Sequence, residues 1–249
     1  MSALSAEIIK LKRSLAWPIV VLVPIVLVLA GAATKLAKGT TPEDGWDTIW
    51  LQSVGFYGLF PLALAIAILG SLVWRAEHRG SNWNALMSTP TSTLKIVAAK
   101  TAVVAGLTVI MQAILLLSVI VIGKLAFGLP GMLPARYLGV GVLLMAATVP
   151  AAALQSALSL FLHSFAAPVA LALVGSGIST VALMVLGTAA IASPYALATK
   201  TTLLGTGSFA DSGTITASDL GVIAVASVVM TVVVVTLTSA IVDRSDTRI

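Results

Sequence analysis

Cysteine is absent from this chain, so neither disulfides nor thiolate metal sites are available to it. Charge is nearly as scarce. Only 9% of residues are Asp, Glu, Lys or Arg, against roughly 25% in soluble domains. The histidines are two, His78 and His163, far apart in sequence with only Glu77 beside the first, so no metal site is expected. No phosphate loop occurs: Gly123-Lys124 is followed by Leu125 and lacks the upstream glycine. H-E-x-x-H is missing, and Gly175-Ser176-Gly177 does not make a nucleophile elbow. These absences argue against an ATPase, a metalloenzyme or a serine hydrolase, and no catalytic residue is assigned.

What the chain has instead is apolar length. Of its 249 residues 59% are hydrophobic, with a mean hydropathy of +1.09. Six stretches carry no charged residue: 15–33, 51–73, 101–122, 137–162, 166–191 and 220–242. Each reaches the ~20 residues that cross about 30 Å of hydrocarbon. A charge at mid-bilayer costs at least about 3 kcal/mol, which explains why charges gather in the loops. Runs such as Val232-Val233-Val234-Val235 do not alternate as barrel strands would. The expected fold is therefore all-α: a polytopic membrane protein of six transmembrane helices in one permease-like domain, with no room for a soluble one. The first run holds Pro18 and Pro24 and is followed by no small-residue cleavage site, so it reads as a span and not as a cleaved signal.

Positive charge sets the expected orientation. With both termini in the cytoplasm, nine Lys and Arg lie inside and five outside, as the positive-inside rule asks. The net charge of +5 is thereby used for topology, and nucleic acid is not expected as a partner. Residues 3–14 place Leu4, Ile8, Leu11 and Leu15 on one helical face and Glu7, Lys10 and Ser14 on another. That pattern predicts an interfacial amphipathic helix, or simply the snorkelling start of the first span. Trp46 and Trp50 read as outer-interface anchors. Residues 192–219 read as a loop with a flexible middle. The three residues His163-Ser164-Phe165 make antiparallel neighbours of the spans they join. Pro61 and Pro150 should kink their helices. Gln112 and Gln155 are the notable polar residues within spans; they glue helices or line a substrate path.

The segment 74–100 is longer than a connector needs to be. Ala76, Gly80, Trp83 and Met87 share one helical face, with Arg75, Arg79 and Asn82 turned away. Pro90 ends that helix, and Thr91 or Ser92 can cap a second short one leading into span three. Here the chain resembles the permease subunits of type-2 ATP-binding cassette (ABC) exporters. It is similar, more narrowly, to the permeases of bacitracin-resistance and lantibiotic-immunity transporters. The resemblance spans the chain and is most specific in Glu77-x-x-Gly80-x-x-Trp83-x-x-Leu86-x-x-x-Pro90, followed by Lys95 or Lys100.

The resemblance implies that this loop is a cytoplasmic coupling helix. Glu77, Arg79, Gly80, Trp83, Leu86, Met87 and Pro90 would then bind an ABC ATPase subunit, which carries the ATP and Mg²⁺; this chain would hold no cofactor and not be an enzyme itself. It implies a plasma-membrane exporter contributing to antibiotic resistance. The chain would pair as a dimer with a second copy or a similar permease and move an amphipathic or apolar compound, such as a peptide antibiotic. Two alternatives stay open. The loop could lie flat on the membrane. The chain could also be a non-transporting scaffold or assembly factor whose loop binds another cytoplasmic protein. An integral-membrane enzyme is disfavoured by the missing acids and cysteines in the spans.

Overall fold

The computed structural model describes residues 7, 11, 14–78, 91–208 and 211–246. All regular structure among them is helical. Helix α1 is Ala16–Lys38. Its last turn closes on Gly39 at φ 62°, whose amide donates to the Leu36 carbonyl while Thr40 donates to Lys35. That left-handed position favours glycine.

The second span is broken. Helix α2, Trp46–Leu59, and helix α3, which runs Pro61–His78, meet at 50°. Phe60 sits between them at φ −131°. Proline disfavours the helical conformation in the residue before it and withdraws an amide from the ladder, so the expected kink at Pro61 becomes a full break. A π-helical turn, Leu51–Gly55, interrupts α2 as well.

Helix α4 is Thr93–Val121, extended by a π turn at Ile122–Ala126. It starts at Ser92, so the second short helix expected after Pro90 is continuous with span three. Lys95 and Lys100 lie within it. The fourth span is interrupted where Pro150 was expected to bend it: α5, Ala135–Ala147, gives way at Thr148 to α6, Val149–Phe161. The Thr148 hydroxyl donates to the Leu144 carbonyl at 3.0 Å. Helix α7 is Ala166–Leu186, followed by a 3₁₀ turn at Gly187–Ala192. Helix α8 is Pro194–Leu203 and α9 is Ala217–Asp246. Among the described residues five helical stretches, the α5–α6 pair counted as one, are long and apolar enough to cross a membrane, or six if the bent α2–α3 pair forms one span.

Helices α4 and α6 form the centre, with α1, α3 and α9 packed around them. Small residues permit this: Ala151, Ala152, Ala153, Ser156 and Ser159 of α6 are all buried. A methyl at Gly70 of α3 would stand 3.1 Å from the Gln155 carbonyl oxygen, so the two backbones touch. Across the short turn at 163–165, α7 packs mainly on α3 and α8 and only slightly on α6.

Two loop readings are corrected. Residues 194–203 form a helix, not a loop, and nearly all of it is buried. Ser193 precedes Pro194 as a helix start signal. Thr199 donates its hydroxyl to the Gly58 carbonyl at 2.8 Å, and a methyl at Gly58 would collide with the Thr202 side chain. Trp46 and Trp50 are not interface anchors. Trp46 donates its indole N–H to the Pro130 carbonyl at 3.0 Å, and Trp50, wholly buried, stacks on Tyr137 at 4.7 Å between ring centroids.

Candidate functional site: a buried lysine between two glutamates

Lys100 lies two turns into α4, on the face that carries Ile96, Val97, Val103 and Val104 into the bundle. Apolar neighbours bring the ammonium inside, where an unpaired charge would be prohibitive. Only 1% of the residue is exposed. Its Nζ donates to Glu7 Oε2 at 2.8 Å and to Glu77 Oε1 at 3.0 Å, and lies 3.5 Å from the Val73 carbonyl oxygen. These use the three donors an ammonium has. The same Nζ stands 4.8 Å over the Trp74 ring, a cation–π contact. Trp74 is fixed in turn by its indole N–H, which donates to Ser156 Oγ of α6 at 2.9 Å.

One ammonium thus ties together the N-terminal segment, the last turn of α3 and the start of α4. The paired residues Glu77 and Lys100 flank positions 79–90 in sequence.

The expected partner-binding residues divide. Arg79, Gly80, Trp83, Leu86, Met87 and Pro90 lie outside the described residues. Glu77 is described, and it is 4% exposed. It turns inward and pairs with Lys100. Glu7, read on the polar face of an interfacial helix, is likewise buried against Lys100. The sequence reading kept charges out of the membrane-spanning helices; Lys100 sits inside one. The signal that could have found it is a lone cation at a core-facing position of an otherwise apolar helical pattern.

Gln112 and Gln155 are both fully buried. Gln112 faces Tyr57 of α2 without reaching hydrogen-bond geometry; Tyr57 Oη and both polar atoms of Gln112 lack a partner. Gln155 donates its amide to the Tyr195 hydroxyl of α8, while its Oε1 is unpartnered. Trp50 Nε1 and Ser53 Oγ of α2 add to this set.

His78 and His163, distant in sequence, meet at 4.8 Å between ring centroids. Among the described residues no three His, Cys, Asp or Glu side chains are grouped so as to hold a metal.

The described residues make a helical bundle of several helices long and apolar enough to cross a membrane. The chain belongs to the ABC-2 transporter family: the family model described as ABC-2 family transporter protein matches residues 3–179. That family is the membrane permease component of ABC transporters. No curated protein and no solved structure matches the chain.

Proposed function

We propose that this chain is the permease subunit of an ATP-driven exporter, powered by a separate ABC ATPase that docks on the segment 79–90. The observation that carries the reading is the Lys100 junction, which grips the chain on both sides of that segment. A permease without a phosphate loop must take its free energy from a partner, and a partner shifts a conformation only by contacting two states differently. Trp83, Leu86 and Met87 supply an apolar anchor of the kind that dominates interface energetics. Movement of the docked segment would pull on Glu77 and be handed through Lys100 to α4 and the N-terminal segment. ATP and Mg²⁺ would sit on the ATPase.

The proposed cargo is an amphipathic or apolar compound taken from the membrane or cytoplasm, with a peptide antibiotic as the leading case; the resemblance to bacitracin and lantibiotic permeases supports this. The unpartnered polar atoms of Tyr57, Gln112 and Gln155 would line the path when the helices part. Buried polar groups without partners are rare in native folds and ask for an explanation. A second permease, identical or similar, would complete the pathway; α9 buries only 11% of its apolar window within this chain, leaving surface for lipid and partner.

The test is mild-detergent purification of the tagged full chain from its host, with bound proteins identified by mass spectrometry. The reading expects a stoichiometric ATPase, its recovery lowered about tenfold by Trp83→Ala and little changed by Glu77→Gln. Recovery of no ATPase, where a control exporter stays intact, contradicts it and favours the scaffold.

A further inference from the structure

A small cleft opens at the same end of the bundle as the 74–100 segment, where the last turn of α3 meets the turn from α6 to α7. Its volume is about 160 Å³, and Arg75, His78, His163, Ser71, Ser164 and Phe165 are among its lining residues. Among the described residues every charged or titratable group in that lining is basic, and no carboxylate is part of it. The nearest acid in sequence, Glu77, is committed to Lys100. Arg75 is exposed, and among the described residues no carboxylate pairs with it. His78 Nε2 lies 2.7 Å from the Ser159 carbonyl oxygen, which can only accept, so this nitrogen carries a proton and the ring is fixed in place. His163 leans on that ring at 52°.

Such a lining does not suit a metal ion. One imidazole nitrogen is spent on a carbonyl, no carboxylate is present among the described lining residues, and a guanidinium stands beside the pair. It suits a tetrahedral oxyanion. Arg offers a fork of N–H donors matched to phosphate, and the imidazoles and hydroxyls add further donors. The cleft has room for several waters at about 30 Å³ each, and so for a phosphate group.

Its placement says where the phosphate would come from. Phe161 and Phe165 flank the α6–α7 turn and are 41% and 45% exposed. Just beyond them, α7 exposes Leu171, Leu173 and Val174. A cationic cleft bordered by bare apolar side chains lies at the rim of the membrane-facing belt. Basic pockets between transmembrane helices are a recurring mode of headgroup binding.

We propose that this cleft binds a phosphate group, that of an anionic phospholipid headgroup whose acyl chains run along α7. Arg75 and His163 are the principal donors, and His78 is held in place by the Ser159 carbonyl. A free inorganic phosphate has the same chemistry and is the other source the experiment must separate.

The test is native mass spectrometry of the full chain in detergent, titrated with dioleoylphosphatidylglycerol, with dioleoylphosphatidylcholine, or with inorganic phosphate. The expected result is preferential binding of the glycerol lipid, weakened about tenfold in Arg75→Gln and in His163→Gln, the loss typical of one charge-assisted contact. Arg75→Lys should retain part of it. Millimolar phosphate should not displace the lipid; if it does so, and if both glutamine variants lose that displacement, the cleft is a site for free phosphate. Equal binding of both lipids, unchanged in both glutamine variants and unaffected by phosphate, would overturn the proposal. Arg75 is exposed, so its variant tests binding with little risk to folding.

Discussion

Lys100 shows why the energetics of a single residue bear on function here. A buried ammonium is tolerated because two carboxylates, a carbonyl and an indole face surround it. Removing one member of such a group strands the others, at a cost of about 3–5 kcal/mol. Replacing all of them by apolar or neutral groups is often close to neutral. Lys100→Met is therefore expected to lower the unfolding temperature in detergent markedly, and Lys100→Met with Glu7→Gln and Glu77→Gln to recover much of the loss. Equal stability of the single variant and the native chain would mean the cluster is not paired as described. The pair of glutamates could not be read from the sequence. Glu7 and Lys100 lie 93 positions apart, and a lysine just before an apolar run looks like an ordinary snorkelling residue at a span's edge.

Among the elements, α8 is the one whose packing carries the sharpest test. Its threonines reach backbone carbonyls on α2 and within α8 itself: Thr199 to Gly58, Thr201 to Leu197, Thr202 to Thr199. The contact needs Gly58, since a larger residue there would meet Thr202. Gly58→Val is expected to destabilise the chain by about 1–3 kcal/mol, as overpacking does, read as a lowered unfolding midpoint. Thr202→Ala in the same chain should return part of it. This helix was not legible because apolar periodicity is the signal that reveals helices, and Pro194–Leu203 has almost none; hydroxyl-to-carbonyl bonds bury it in its place. The break at Pro61 was legible, because proline's effects are local. Trp46 and Trp50 misled for the opposite reason. Interface tryptophans are a statistical tendency, and here a stacked Tyr137 and a Pro130 carbonyl outweigh it.

At the scale of the whole molecule, the apolar spans dictate the bundle, and membership of the ABC-2 transporter family makes it a permease. The polar groups that the bundle retains fall into three places. The Lys100 junction and the basic cleft of Arg75, His78 and His163 lie at one end. The unpartnered atoms of Tyr57, Gln112 and Gln155 lie in the core. In the proposed cycle, the first transmits force, the second holds lipid, and the third meets cargo. The all-helical, multi-span character could be taken from composition and length. The junction could not, because it exists only once the N-terminal segment, α3 and α4 are brought together.

The most direct measurement is ATP-driven cargo efflux from liposomes holding the permease and its co-purified ATPase, comparing the native chain with the stability-restored Lys100→Met, Glu7→Gln, Glu77→Gln variant. The account predicts that the variant still binds the ATPase and loses most of its transport, because the docked segment no longer pulls on α4. Transport at the native rate in a variant that has no charge left at the junction would contradict it.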